Sequence, residues 1–165
     1  MRLDRESIRF LFQTYEGSIS RRRWRSGTLI LAAILIPLTL IWLFIAPAAH
    51  RDLSTPELLN AAALAAFVYL AVFAFAVILI AVSWTNLSAK RFRAIGRPGA
   101  LAAALPFAAL LDGAARWFQP RASDVFPAWA PLIFDVALIA VAAWSFYALG
   151  LANPAAKRQS NPPRT

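Results

Sequence analysis

The stretch LSAKRFRAIGRPGAL, residues 87–101, decides how this chain folds, because it separates two long apolar blocks. Within eight positions it places four cationic side chains, Lys90, Arg91, Arg93 and Arg97. Gly96 and Gly99 flank Pro98, and this combination is typical of a helix stop followed by a tight turn. The stretch therefore predicts that one apolar helix ends here and that the chain turns back into the next.

The composition indicates a membrane protein. Of 165 residues, 60% are hydrophobic and only 15% are charged, which leaves too little polar surface for an ordinary soluble domain. There are no cysteines, so disulfides, thiolate chemistry and cysteine metal sites are excluded. The net charge of +9 is divided into clusters between apolar blocks, a pattern that argues against nucleic-acid binding.

Four apolar blocks are compared with the roughly 20 residues that a helix needs to cross about 30 Å of hydrocarbon. Three are long enough as they stand, whereas the third has only twelve residues, 100–111, before Asp112. Continued through DGAARWF to Phe118, that helix would be about 28 Å long, with Asp112 and Arg116 one helical turn apart. A re-entrant or surface-lying segment is the alternative. The predicted spans are 26–49, 58–84, 100–118 and 129–152, which together form a four-helix transmembrane domain over residues 26–152.

The segment before the first span, residues 1–25, is basic. Ile8, Leu11, Phe12 and Tyr15 recur there at helical spacing, which predicts an amphipathic helix in the headgroup layer with its arginines toward anionic lipid. A frayed leader that only sets topology is the alternative. At the other end, residues 153–165 are polar and proline-rich and predict a disordered tail. The predicted fold class is therefore all-α, a multi-pass membrane protein with an N-terminal interfacial helix.

The distribution of Lys and Arg predicts the orientation of the spans. Seven lie before the first span, four follow the second and three lie in the tail, so fourteen are on one face and three on the other. The positive-inside rule then places both termini in the cytoplasm. Anchoring alone explains the loop at 87–101, but a site for anionic headgroups or a partner membrane protein is the alternative. The residues of this alternative site come from the loop and from the segment before the first span, and we call them the basic ring: Arg21, Arg22, Arg23, Arg25, Lys90, Arg91, Arg93 and Arg97.

Two stretches resemble a known family. YEGSISRRRW, residues 15–24, and AKRFRAIGRPG, residues 89–99, are similar to the two signature regions of domain of unknown function eight hundred and five, the YhaH-like proteins of the bacterial inner membrane. The resemblance implies a small multi-pass inner-membrane protein of undefined activity. The matching residues are Tyr15, Gly17, Ile19, Ser20, Arg21, Trp24, Arg91, Gly96, Arg97 and Gly99.

The chain also departs from the family pattern. Ser18 stands where the family has arginine, Arg93 and Ala94 stand where it has His-Asp, and Pro98 stands where it has serine. Any family chemistry that depends on the His-Asp pair is therefore not expected here.

Residues that could perform catalysis are scarce. His50 is the single histidine, and no zinc-protease, nucleophile-elbow or phosphate-loop motif occurs in the chain. We therefore expect no enzyme activity, no cofactor and no metal. The favoured function is an accessory or scaffold protein that contacts anionic lipid and another membrane protein or a second copy of itself. A small transporter or channel that uses Asp112 and Asp135 is the alternative.

Two aspartates fall at similar predicted depths. Asp112 lies thirteen residues after Gly99, about 20 Å into the third span, and Asp135 lies six residues after Trp129, about 9 Å into the fourth. Both carboxylates then lie about 10 Å below the same surface, where an ionised group facing lipid is unfavourable. We expect Asp112, Arg116 and Asp135 to form an intramembrane polar cluster in which both aspartates face the bundle, with Arg116 bridging them or one aspartate protonated. A structural ion pair and a proton or cation site both remain open.

Overall fold

A computed structural model describes residues 5–49 and 61–151, and these residues form helices and no strand. Four helices are long and apolar enough to cross a membrane: Arg21–Ile45, Ala61–Ala94, Gly99–Arg121 and Ala130–Gly150. The predicted fold class is confirmed, and the chain is an all-α multi-pass membrane protein. The tail at 153–165, His50 and the first residues of the predicted second span lie outside the described residues.

The helices are labelled in chain order. They are α1 (Arg5–Ile8), α2 (Arg21–Ile45), α3 (Ala61–Ala94), α4 (Ala104–Phe118) and α5 (Ala130–Gly150). Short 3₁₀ helices, Gly99–Ala103 and Gln119–Arg121, extend α4 at both ends. The prediction that the third block continues as a helix to Phe118 is confirmed.

Two helices are longer at the basic side than the apolar blocks predicted. Helix α2 begins at Arg21 rather than Ser26 because the Ser20 side chain caps it, accepting a hydrogen bond from the backbone N–H of Arg23. Helix α3 runs ten residues past the predicted end at Trp84, because Leu, Ala, Lys and Arg, which make up most of residues 85–94, are good helix formers. At 34 residues, α3 is about 51 Å long.

Helix α3 ends where the glycine pattern predicted. Gly96 has φ +76°, in the left-handed region. The backbone N–H of Gly96 donates to Arg93 O at 3.0 Å, and that of Arg97 donates to Phe92 O at 2.9 Å. These two bonds form a Schellman motif, which satisfies the last carbonyls of the helix, and Pro98 prevents the helix from continuing. The chain then reverses into the 3₁₀ turn and α4.

The N-terminal segment differs in register from the predicted amphipathic helix. After α1, residues Arg9–Gln13 form a π-helical turn, which is wider than an α-turn and shifts the side chains that follow. Leu11 is therefore buried, whereas Ile8 and Tyr15 are exposed, and the predicted apolar side chains do not share one face.

The buried core lies at one end of the helix bundle. Here the start of α2, the end of α3, the start of the third span and the end of α5 meet the N-terminal segment. The cluster contains Leu11, Ile19, Trp24, Leu31, Trp84, Leu87, Ala89, Phe92, Ala102, Ala148 and Leu149. We call this the basic end, because the basic ring lies around it. The first and third spans begin at this end and the second and fourth spans end there, so consecutive spans are antiparallel.

Candidate functional sites at the two ends of the bundle

The structure divides the basic ring into buried and exposed members. Lys90 is 0% exposed and Arg91 is 3% exposed, although both belong to the basic ring, the candidate site for lipid headgroups or a partner. Buried cations need partners that replace water, and both side chains donate to backbone carbonyls of other segments. Lys90 and Arg91 thus hold the chain together at this end and do not present their charges at its surface.

Lys90 binds the N-terminal segment. Its ammonium donates to Phe10 O, to Leu11 O at 3.4 Å and to Thr14 Oγ1 at 3.1 Å. It also lies 4.3 Å from the centre of the Phe10 ring, within cation–π range. The carbonyls at the end of a helical turn have no partners within that turn, so a cation stabilises them. Lys90 therefore supplies donors to the last carbonyls of the π-helical turn.

Two further residues of α3 hold the same segment. Asn86 Nδ2 donates to Phe12 O at 2.9 Å, and a guanidinium nitrogen of Arg93 donates to Tyr15 O. The Arg93 guanidinium also lies 4.4 Å from the centre of the Tyr15 ring. Three side chains on successive turns of α3 thus bind the backbone of residues 10–15. We call this set of contacts the clasp.

Helix α5 is capped by arginines from two other helices. It has no basic residue in its own last turn. Instead, Arg91 Nε of α3 donates to Leu149 O at 3.1 Å, and a guanidinium nitrogen of Arg25 of α2 donates to Gly150 O at 2.6 Å. Cations at a helix C-terminus satisfy its last carbonyls and oppose its dipole. These two bonds tie the ends of α2, α3 and α5 together.

The sequence did not indicate some contacts at this end. Trp24 Nε1 donates to Ser88 Oγ at 3.2 Å in a buried contact between α2 and α3. Gly27 lets the same helices approach closely, since a Cβ there would meet Leu87 Cδ2 at 2.8 Å. The run TNLSAK, residues 85–90, places polar residues on α3 near its end. This run was the one signal in the sequence that could have indicated these contacts.

Exposed arginines remain at the basic end. Arg97 follows the turn after α3, and Arg21 and Arg93 are half-buried. The remaining exposed members of the ring lie on the first turns of α2 and are Arg22, Arg23 and Arg25.

The predicted polar cluster is present at the opposite end. Arg116 Nε lies 3.5 Å from Asp112 Oδ2, and a terminal guanidinium nitrogen of Arg116 donates to Asp135 Oδ1. The bridge joins α4 to α5, as the depth argument predicted. The Arg116 side chain is 59% exposed, whereas those of Asp112 and Asp135 are 13% and 24% exposed.

One atom of this cluster has no partner among the described residues. Asp112 Oδ1 is buried and makes no hydrogen bond there, although Oδ2 of the same carboxylate faces Arg116. Within residues 5–49 and 61–151, no group of three or more His, Cys, Asp and Glu side chains could hold a metal ion.

The comparisons with known proteins add no relative. Searches against protein-family models, curated proteins and solved structures each returned no match. The resemblance to the YhaH-like family thus stays a prediction. The structure does bring its two stretches into contact: Tyr15 of the first lies against Arg93 of the second, and a Cβ on Gly99 would lie 2.9 Å from the Tyr15 hydroxyl.

Proposed function

We propose that this chain is a non-enzymatic accessory protein of the bacterial inner membrane that binds anionic lipid at its basic end and packs against another membrane protein. The observation that carries the proposal is that some cations at that end bind backbone carbonyls whereas others are exposed. Lys90, Arg91 and Arg93 bind the chain's own carbonyls, whereas Arg22, Arg23 and Arg97 are exposed on the same end.

The exposed arginines suit phosphate-bearing headgroups. Juxtamembrane cations contribute on the order of 1 kcal/mol each to binding an anionic membrane surface. A guanidinium also donates two parallel hydrogen bonds to a phosphate, which an ammonium cannot do.

Retention of lipid by the purified protein tests this function. The variant Arg22→Gln/Arg23→Gln/Arg97→Gln should retain much less phosphatidylglycerol than the wild type in native mass spectrometry, with no change for phosphatidylcholine. Arg121→Gln is the matched control, because Arg121 is exposed near the other end of α4 and stacks on Trp117. Equal phosphatidylglycerol retention by the triple variant and the wild type would refute lipid binding by these arginines.

Both termini are proposed to lie in the cytoplasm, on the positive-inside argument. Reporter fusions at Gly96 and Arg121 test this orientation, with a cytoplasmic signal expected at Gly96 and an external signal at Arg121. A cytoplasmic signal at Arg121 would contradict it.

The apolar faces of the spans leave room for a partner protein. Large side chains such as Leu29, Phe44 and Val136 are exposed along α2 and α5. Such faces contact acyl chains or the helices of a partner. Purification in native-like lipid, scored for a stoichiometric second protein, tests the accessory role.

Transport is a second candidate, favoured by the unpartnered oxygen of Asp112. A proton or cation arriving at Oδ1 would compete with Arg116 for the carboxylate. Proteoliposomes carrying a pH-sensitive dye should then show a flux that Asp112→Asn abolishes, and the lack of any flux in the wild type would remove this candidate.

A further inference from the structure

An open apolar groove lies between α2 and α5 at the basic end. Its volume is about 500 Å³, and its walls include Trp24 and Leu29 of α2 together with Ala143, Phe146 and Gly150 of α5. Arg25 lines the same groove and supplies its cationic group. Few polar atoms face the groove otherwise, so its natural occupant is an apolar chain that carries a negative charge at one end.

The walls of the groove are held in place before anything binds. Trp24 is 2% exposed, its indole N–H is bonded to Ser88, and the Phe146 ring packs edge-on against it at 5.9 Å. Gly150 lets the backbone of α5 lie close to the same indole, since a Cβ there would lie 3.3 Å from the Trp24 ring. A preformed apolar groove binds a chain without first having to order its own side chains.

The length of the groove fits one leaflet. Its wall on α5 runs from Ala143 to Leu151, eight helical rises or about 12 Å. One leaflet is half of the hydrocarbon core, about 15 Å. Arg25 lies at the end of the groove next to the α5 C-terminus, where it donates to Gly150 O. A guanidinium carries five N–H donors, so the same group can also bind a phosphate.

A second groove serves as a comparison for the role of Arg25, because no cation lines it. It lies along the first turns of α3, has a volume of about 520 Å³ and is lined by Ala61, Leu64, Ala65, Val68, Tyr69 and Val72. These residues include no cation. The two grooves therefore have similar volumes and apolar walls but differ in charge at the rim.

We propose that the groove between α2 and α5 binds one acyl chain of an anionic phospholipid, with the lipid phosphate on Arg25. This inference rests on the proposed function, because it assigns a lipid class and a binding mode to the basic end. The groove on α3 binds acyl chains of any phospholipid without preference for the headgroup.

Photolabelling of the wild-type protein tests the inference without any substitution. Phosphatidylglycerol and phosphatidylcholine, each with a diazirine at the end of one acyl chain, are incorporated separately into nanodiscs with the protein. We expect at least about fivefold more labelling of residues 143–151 by phosphatidylglycerol, a preference of roughly 1 kcal/mol. Residues 61–72 should be labelled equally by both lipids. Equal labelling of residues 143–151 by the two lipids would overturn the inference.

Filling the groove gives an independent test. Ala143→Trp places a large ring in the groove, whereas Ala137→Trp places it on an exposed position of the same helix that does not line the groove. Ala143→Trp should weaken retention of phosphatidylglycerol by roughly tenfold, a loss of about 1.4 kcal/mol, and Ala137→Trp should leave it unchanged. Displacement of the lipid by glycerol 3-phosphate alone would show that only a phosphate site exists, and would also overturn the inference.

The outcomes separate the two proposals. If Ala143→Trp retains the lipid fully while the variant lacking Arg22, Arg23 and Arg97 loses it, the groove is not the site and the proposed function stands. If both variants retain phosphatidylglycerol as the wild type does, both proposals fail.

Discussion

The two ends of the helix bundle differ in what their cations join, since those of the basic end bind separate segments whereas Arg121 at the other end donates to Trp117 O, four residues earlier in the chain. At the basic end, cations from α2 and α3 are bonded to backbone carbonyls at the ends of other segments, and Lys90 and Arg91 are buried there. At the other end, Arg116 is exposed and bridges two carboxylates. A cation in a membrane protein can therefore bind backbone carbonyls instead of a lipid headgroup or an acidic side chain. The last carbonyls of a helix are also acceptors, and no sequence pattern shows which distant cation binds them.

The largest expected effect comes from breaking the clasp. Lys90→Met keeps the length of the side chain but removes the ammonium, which leaves Phe10 O and Leu11 O without their charged donor. Loss of a hydrogen bond to a charged group costs about 2 kcal/mol, so the amides of residues 9–15 should exchange with deuterium about 30-fold faster. Hydrogen–deuterium exchange with mass spectrometry measures this rate.

Arg22→Gln is the control for that measurement, because Arg22 is an exposed cation at the same end. Exchange as slow in Lys90→Met as in the wild type would show that the clasp does not hold the segment.

The second prediction concerns the close approach of α2 and α3. A Cβ at Gly27 would meet two methyl carbons of Leu87 at 2.8 and 2.9 Å, and Leu87 is fully buried. Overpacking of this kind costs about 1–3 kcal/mol. Gly27→Ala should lower the thermal midpoint in detergent, and adding Leu87→Val should restore part of the loss. A Gly27→Ala variant as stable as the wild type would mean that the two helices separate there easily.

A smaller decrease in the thermal midpoint is expected from a substitution at the end opposite the basic end. Asp135→Asn removes a charge partner of Arg116 but leaves Asp112 in contact with the same guanidinium. The thermal midpoint should therefore fall less than in Gly27→Ala. A larger fall would show that the bridge between α4 and α5 contributes more to stability than the contact between α2 and α3.

The smallest effect is expected from Gly113→Ala, and its sign is opposite. A Cβ at Gly113 would meet no atom within 4 Å, and the residue lies inside α4. Replacing an unpacked glycine within a helix by alanine stabilises the helix by roughly 0.5–1 kcal/mol. Gly113→Ala should thus raise the thermal midpoint slightly, and a decrease would indicate a contact that Gly113 is needed to accommodate.

The sequence predicted the spans well because apolar length is a strong signal in membrane proteins. The reversal at Gly96 was predicted because a left-handed residue at a helix end favours glycine. The bridge from Arg116 to both aspartates followed from depth and helical spacing. In each case the information lies in the length, spacing or residue type of a local segment.

The fate of the basic ring could not be predicted in the same way. Lys90 and Arg97 are both cations in one short stretch, yet Lys90 is buried and Arg97 is exposed. The difference depends on where the backbone of residues 10–15 lies, and the π-helical turn that places it there changed the predicted apolar face. Contacts between a side chain and a distant backbone carbonyl depend on the whole fold and do not appear as a pattern in the sequence.

The clasp has a consequence for the order in which the protein is assembled. The carbonyls of the clasp are synthesised well before their donor, because Lys90 follows Phe10 by 80 residues. At the same end of the bundle, Gly150 follows Arg25 by 125 residues. The N-terminal segment can therefore bind Lys90 only after α2 and most of α3 have been synthesised. Arg25 can bind Gly150 O only after α5 has been made. The contacts of the basic end are therefore complete only after α5 has been made.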